Sequence, residues 1–443
     1  MRRILGIAMR SPVLWRRSSA AAGVYLSALL GFLGSVIAFR ELGTSAFGRL
    51  SIVLAAAGLF QLLADLTVED ALVKYGFRYA AASDWGRFRR VFRVGVRLKL
   101  AGGVLASAGI AILAPLSSVL WAPGLVAPML VAALLPLVQA PEGVASAALI
   151  VRKRYDVRAA FLALSMALRL GALAIGGTFG VLPTVAALVV AQALATAAVC
   201  TAGFAALRRF PAARETRLGV DGPDFRRFVI RSSAGTVLSP LRGLLGSLLL
   251  GFVTGPRQVA YLRVAQVPES AFAALSSPVR MILLAEQTHD VEHGRSVQVY
   301  ATLRRYMLGA GALVLVIVPP LAFLMPTLIR VVYGSAALPA VDAARLFLVV
   351  ASVQVVLGWT KSFPVSIGRP EFRLVAQGAE LAVLLPALLV LGAEFGATGA
   401  AGAYVAASFA FAAIWAVLIL RLNRDEVARS RGNPRPVDLV APP

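Results

Sequence analysis

Apolar stretches of about 20 residues recur along almost the whole sequence, and each is long enough for a helix to span a hydrocarbon core of about 30 Å. With 59% hydrophobic and only 15% charged residues, the composition is not that of a soluble globular protein. The sequence therefore predicts an all-α, polytopic membrane protein with twelve transmembrane helices. These lie at about 18–39, 49–72, 100–120, 125–150, 159–180, 183–207, 232–254, 259–284, 307–329, 344–366, 372–393 and 398–420.

The basic residues predict how the chain is oriented. The net charge is +23, and 35 of the 44 lysine and arginine residues fall in alternate segments between the apolar stretches. Because cytoplasmic loops carry the excess of basic residues, we expect both termini to be cytoplasmic. The first stretch is long enough to span, which favours a permanent helix over a cleaved signal peptide. Membrane topology thus explains the charge, and nucleic acid is not expected as a partner.

A polar connection in the middle of the chain separates six predicted helices from six others. Since the outer loops are short, we expect no soluble domain. The predicted units are a basic cytoplasmic arm (1–17), an N-terminal six-helix bundle (18–207), a cytoplasmic connection (208–231), a C-terminal six-helix bundle (232–420) and a cytoplasmic tail (421–443).

The two bundles carry a weak internal repeat. The sequence Arg-Ser-Ser-Ala at 17–20 recurs at 231–234, an offset of 214, and an aromatic-x-Arg pattern ends at both Arg49 and Arg263. Near the same offset, Arg158 matches Arg373. Six helices per repeat is an even number, so both halves enter the membrane in the same direction. The repeat therefore predicts a pseudo-twofold axis along the membrane normal, with a substrate path between the halves.

Arginines inside the apolar stretches need compensation, because a charge at mid-bilayer costs roughly 2.5–3.5 kcal/mol. Arg242 lies near the middle of its stretch, Arg169 at a similar depth, and Arg263 in the outer third of its own stretch. One interpretation is that each pairs with an acid and fixes the helix register. The other is a hydrated cationic cavity for a phosphate-bearing substrate, since guanidinium groups bind phosphate through paired hydrogen bonds.

Acidic residues also occur within or beside the predicted spans. Asp65, Glu142, Glu269 and Glu380 are candidates for proton or sodium coupling, and the last three are equally candidate partners of the arginines. Glu69 and Asp70 lie about one turn from Lys74, which predicts simple interfacial ion pairs.

Motifs for catalysis or cofactors are weak. Residues 289–293 fit the His-x-x-Glu-His zinc pattern, but they lie in a short loop, and the chain has no other histidine. Lys361-Ser362 follows Thr360 instead of the glycine of a phosphate-binding loop. The sequence also has no Asp-x-Asp pair, and its only cysteine is Cys200. We therefore expect no cofactor, no metal and no enzymatic activity.

Several short motifs resemble those of polysaccharide flippases, of the O-antigen type, in the multidrug/oligosaccharidyl-lipid/polysaccharide exporter superfamily. They are Leu-Gly-Thr-Ser-Ala-Phe-Gly at 42–48, Ala-Asp-Leu at 64–66, Ala-Leu-Val at 71–73, Val-Tyr-Gly at 332–334 and Phe-Gly-Ala-Thr-Gly-Ala at 395–400. The resemblance extends over nearly the whole chain.

The resemblance implies a transporter that carries a polyprenyl-pyrophosphate-linked oligosaccharide across the bacterial inner membrane by alternating access. It implies a central cavity lined by Arg49, Arg242 and Arg263, with Arg169 close by. Membrane lipids and the glycosyltransferases and polymerase of the same pathway are the implied partners. The alternatives are a multidrug or small-molecule antiporter of the same fold, an envelope polymerase or glycosyltransferase, and a scaffold that transports nothing.

Overall fold

The computed structural model describes residues 12–64, 68–292, 296–367, 369 and 371–432, and these ranges are almost entirely helical. The α-helices are α1 Pro12–Ala64, α2 Val68–Ala81, α3 Trp85–Leu113, α4 Ser117–Leu120, α5 Val126–Ala132, α6 Leu134–Gln139, α7 Glu142–Val151, α8 Tyr155–Gly177, α9 Val181–Arg208, α10 Asp221–Thr254, α11 Pro256–Ala265, α12 Val267–Glu292, α13 Ser296–Tyr333, α14 Val341–Val356, α15 Phe363–Ser366 and α16 Glu371–Gly432. Short 3₁₀ helices lie at Ala114–Leu116, Ser335–Ala340 and Gly358–Lys361.

Nine segments of the described ranges are long and apolar enough to cross a membrane. Two of them, Tyr25–Ala64 and Glu371–Leu422, contain 40 and 52 residues, about twice the length that one crossing needs. Each contains a glycine with non-helical backbone angles, Gly43 in α1 and Gly396 in α16. The predicted all-α membrane architecture is confirmed, while the count of twelve spans and the pseudo-twofold axis stay predictions.

Six turns at one end of the bundle share a backbone geometry. Each joins an odd-numbered predicted span to the next, and each contains a glycine with φ between 59° and 104°. Such angles are costly for residues that carry a Cβ atom. The glycines of the two halves pair at offsets of 212, 210 and 216 residues, close to the repeat in the sequence. We call this end the glycine end: Gly43, Gly124, Gly180, Gly255, Gly334 and Gly396.

The two halves meet along the part of α1 that follows Gly43. It runs antiparallel to the end of α10 and the start of α11, with Gly48 against Pro256, Ile52 against Gly251 and Gly58 against Leu244. A Cβ atom on Gly48 would lie 1.8 Å from the carbonyl oxygen of Pro256. Small residues allow membrane helices this close approach, so the halves are tightly packed at the glycine end.

The opposite end holds the connection between the halves. Phe210 stacks on Trp85 and Phe88 with ring centroids 5.7 and 4.7 Å apart. Arg93 forms an ion pair with Glu215. The connection is therefore bound to the N-terminal half over its length, through aromatic contacts and ion pairs.

The helix boundaries differ from the predicted ones where polar residues continue a helix beyond its apolar part. Helix α10 begins at Asp221, inside the predicted connection, and Asp221 accepts a hydrogen bond of 2.9 Å from Tyr79. Burial raises the pKa of Tyr79, and so do this hydrogen bond and the charge of Asp221, so the phenol stays a donor. Similarly, α1 begins inside the predicted arm and α16 ends inside the predicted tail.

Candidate functional site

Arg242 is enclosed by acidic side chains from two other helices. Its Nη1 donates to Oε1 of Glu380 at 2.5 Å, and its Nη2 donates to Oε1 of Glu269. Gln354 donates to the same Glu269 oxygen at 2.6 Å. The guanidinium lies 5.1 Å from the ring centroid of Tyr404, a cation–π distance. This arrangement explains how an arginine is tolerated in an apolar helix.

The resemblance places Arg242 with Arg49 and Arg263 along the cavity between the halves, facing a pyrophosphate. In the structure Arg242 lines a cavity inside the C-terminal half, which Arg263 also lines, and it is ion-paired with two carboxylates, as in the first of the two interpretations. The physical reason for the pairing is charge, since two carboxylates more than neutralise one guanidinium. A role of Arg242 in substrate binding stays a prediction.

Helix breaks place the two buried glutamates. Each follows a proline, Pro141 before Glu142 and Pro268 before Glu269, and in each case one helix ends just before the pair. A proline has no backbone N–H donor, so it suits the start of a helix, where that donor would have no partner in the helix. Interrupted helices are typical of binding sites in transporters.

The cavity inside the C-terminal half has a volume of about 350 Å³. Its lining includes four cationic side chains and two carboxylates, a formal excess of two positive charges: Arg242, Arg263, Lys361 and Arg373 with Glu269 and Glu380. The repeat pairs Arg373 with Arg158, which lines the equivalent cavity of the N-terminal half. The sequence repeat predicts this pairing of arginines without indicating a role for it.

The cavity inside the N-terminal half has about 300 Å³ and the opposite charge balance. Glu69, Asp70 and Glu142 line it together with Lys99 and Arg158. Lys99, only 6% exposed, lies 2.9 Å from Glu69. The predicted pairs with Lys74 are wrong, because Glu69 binds Lys99, Asp70 accepts from Ser232 and Lys74 lies over the ring of Phe228.

Glu142 is part-buried and, unlike Glu269 and Glu380, has no direct ion pair among the described residues. It accepts a hydrogen bond of 2.8 Å from Gln192, which also donates to Thr196. The Arg169 guanidinium acts on Glu142 electrostatically from beyond ion-pair distance. Glu269 and Glu380 are both engaged directly by Arg242, so Glu142 is the described coupling candidate whose carboxylate is not held by a direct ion pair. Asp65 lies outside the described residues.

A third and larger cavity, of about 790 Å³, lies between the two halves. Arg169 of α8 reaches it from the N-terminal half and Arg263 of α11 from the C-terminal half. In the part of the chain that the structure describes, neither guanidinium has a carboxylate within ion-pair distance. Most of the remaining wall is apolar, for example Leu29, Leu54 and Leu275. Two cations without a direct ion pair among the described residues thus face one apolar chamber from opposite halves, and Glu142 acts on Arg169 from farther away.

Arg49 lines none of these three cavities. It lies in α1, six residues after Gly43 and so near the glycine end of the bundle. Its Nε atom is buried with no hydrogen-bond partner among the described residues. Arg49 and Arg263 therefore match in the sequence repeat but differ in their surroundings, since only Arg263 lines a cavity. The zinc-like pattern at 289–293 ends outside the described ranges.

The architecture defines a class of protein: a helical membrane transporter fold, with one polar cavity in each half and a larger cavity between them. A sequence model described as "Polysaccharide biosynthesis protein" matches residues 17–281. The chain belongs to this family. No curated protein matches it in sequence.

Solved structures support the same fold. The lipid II flippase MurJ, in an inward closed conformation, matches with a TM-score of 0.67 at 12% identity, over 90% of this chain and 87% of that chain. An inward-facing multidrug resistance MATE transporter of the MOP superfamily matches with a TM-score of 0.67 at 15% identity, over 92% and 96%. A MOP superfamily transporter from Pyrococcus furiosus matches with a TM-score of 0.60 at 13% identity, over 95% and 96%. The predicted family and fold are confirmed.

Proposed function

We propose that this protein carries a polyprenyl-pyrophosphate-linked oligosaccharide across the bacterial cytoplasmic membrane for cell-surface polysaccharide synthesis. The observation that carries the proposal is the pair Arg169 and Arg263 in the central cavity. Two guanidinium groups that have no direct ion pair among the described residues suit a pyrophosphate, because arginine stays charged and donates paired hydrogen bonds to phosphate oxygens. The membership in a polysaccharide biosynthesis family supports this substrate class.

The apolar wall of the central cavity suits a lipid-linked substrate. The polar head enters between the halves while the polyprenyl tail stays in the membrane, so only the pyrophosphate and glycan need the cationic chamber. Both termini are cytoplasmic, as the 35 basic residues of the alternate segments favour. Glycosyltransferases and a polymerase of the same pathway supply and consume the substrate.

Alternating access requires that contacts at the glycine end break and reform. Trp121 donates to the carbonyl of Leu248 at 2.8 Å, and Ser35 lies 3.1 Å from the hydroxyl of Tyr333. Arg40 donates to the carbonyl of Val332 at 2.8 Å. These bonds join the two halves, and they are few and local. The described state is thus closed at the glycine end, which is the outer face in the proposed topology.

The function is tested with purified protein in liposomes. We expect it to flip a fluorescent polyprenyl-pyrophosphate oligosaccharide across the bilayer. We expect it not to transport an organic cation such as ethidium. The second candidate, a multidrug or small-molecule antiporter, is favoured by the acidic excess in the N-terminal cavity. Ethidium movement without movement of the lipid-linked oligosaccharide would contradict the flippase and support the antiporter.

Glu142 is the proposed coupling residue, because it is part-buried, accepts a hydrogen bond from Gln192 and has no direct ion pair among the described residues. We expect Glu142→Gln to make flipping insensitive to the proton or sodium gradient, since glutamine resembles a carboxyl group that is permanently neutral. The measurement is the flipping rate in liposomes with and without each gradient. Glu394→Gln, which changes an exposed carboxylate, is the control. An unchanged gradient dependence in Glu142→Gln would remove Glu142 from coupling.

A further inference from the structure

The cavity inside the C-terminal half contains buried polar atoms that neither the transport proposal nor the Arg242 cluster uses. Nε of Arg373, Oε1 of Gln377 and Oγ of Ser408 are buried and have no hydrogen-bond partner among the described residues. All three side chains line this cavity, and Gln377 and Ser408 are only 8% and 2% exposed. An unsatisfied buried polar group costs about 1–3 kcal/mol. Three in one cavity indicate a site built for a ligand.

The positions of these groups favour a compact ligand. Arg373 and Gln377 are four residues apart in α16 and therefore share one face of the helix. Ser408 comes from the same helix beyond its kink at Gly396, so it approaches from another direction. The cavity volume of about 350 Å³ lies within the range of about 300–1,000 Å³ that small-molecule sites occupy.

The charges favour an anionic ligand. Arg242 is neutralised by its two carboxylates, and the guanidinium groups of Arg263 and Arg373 line the same cavity. Guanidinium groups suit an oxyanion, because they donate paired hydrogen bonds to its oxygens. Gln377 and Ser408 carry no charge, and an amide with a hydroxyl suits the hydroxyl groups of a sugar. The cavity therefore combines an anion-binding part with a hydroxyl-binding part.

We propose that this cavity binds a sugar phosphate. Arg373 holds the phosphate, and Gln377 and Ser408 hold hydroxyl groups of the sugar ring. The site does not depend on the proposed transport of a lipid-linked oligosaccharide, because its key residues lie apart from the central cavity. A free sugar phosphate and the sugar-phosphate end of a lipid-linked glycan share this chemistry.

Calorimetry on the purified full-length protein in detergent tests the proposal, with glucose 1-phosphate, glucose and inorganic phosphate as probes. We expect glucose 1-phosphate to bind more tightly than either of the other two. Arg373→Gln should weaken its affinity by about tenfold or more, the loss of one charged hydrogen bond. Arg369→Gln, on an exposed arginine just before α16, should leave the affinity unchanged.

Ser408→Ala tests the hydroxyl-binding part of the site without changing the anion-binding part. The substitution removes one hydroxyl group and changes the volume of the side chain little. We expect it to weaken glucose 1-phosphate and to leave inorganic phosphate unaffected. Equal affinity for glucose 1-phosphate in wild type and Arg373→Gln, with both folded by thermal unfolding, would overturn the site. Phosphate binding as tight as glucose 1-phosphate binding would overturn the sugar assignment.

Measuring the flipping of the lipid-linked oligosaccharide in liposomes shows whether the ligand is part of that substrate or a free sugar phosphate. Loss of flipping in Arg373→Gln, together with loss of glucose 1-phosphate binding, assigns the site to the glycan of the lipid-linked substrate. Unchanged flipping with lost binding assigns it to a free sugar phosphate. Failure of wild-type flipping leaves the calorimetric test intact, so the two proposals fail separately.

Discussion

Arg242→Ala is expected to lower the free energy of unfolding by about 3–5 kcal/mol, because removing one member of a buried ion pair leaves its partners charged and uncompensated. Here two carboxylates lose their common cation. The side chains of Arg242, Glu269 and Glu380 are only 12–14% exposed, so water does not replace the guanidinium. The measurement is denaturant unfolding of the purified protein, with membrane abundance as a second readout.

Two variants distinguish this explanation from a direct role in substrate binding. Changing all three residues to glutamine removes every charge of the cluster, and we expect it to recover most of the lost stability. Arg345→Ala is the matched control, since Arg345 pairs with Asp342 at the surface, where an ion pair is worth about 0–1 kcal/mol. An Arg242→Ala protein as stable as wild type but unable to flip would return Arg242 to the substrate site.

The double variant Arg169→Gln with Arg263→Gln is expected to abolish flipping of a pyrophosphate-linked substrate. A hydrogen bond to a charged group contributes about 1.5–3 kcal/mol, so each arginine accounts for roughly 10- to 100-fold in substrate affinity. Neither guanidinium has a carboxylate within ion-pair distance among the described residues, although Arg169 acts on Glu142 from farther away. We therefore expect a smaller loss of stability than in Arg242→Ala, which removes two direct ion pairs.

The flipping rate in liposomes and the unfolding curve are measured on the same preparations. Lysine at both positions should restore part of the rate, because it keeps the charge and lacks the planar paired donors. Arg330→Gln, an exposed arginine near the glycine end, controls for the loss of a positive charge. Wild-type flipping by the double variant would disprove pyrophosphate binding in the central cavity.

The sequence by itself determined the helical membrane class and the family, and it predicted a division into two related halves. Hydropathy is a property of consecutive residues, so the bilayer thickness converts it directly into helices. The glycine turns likewise depend on local backbone angles. The repeat offset of 214 residues in the sequence is close to the offsets of 212, 210 and 216 residues that separate the paired turn glycines in the structure. The basic residues also predict the orientation of the chain, because the charge of each loop is a local property of the sequence.

Only the tertiary structure decided which charged groups meet. Arg242 is 27 residues from Glu269 and 138 from Glu380, and nothing in either local sequence specifies the pairing. Lys99 counted as a basic residue of a cytoplasmic segment, but the structure buries it against Glu69. The physical reason is that helices in lipid are apolar on every side, so hydrophobicity does not select neighbours. Close contacts at small residues such as Gly48 and the pairing of buried charges select them instead.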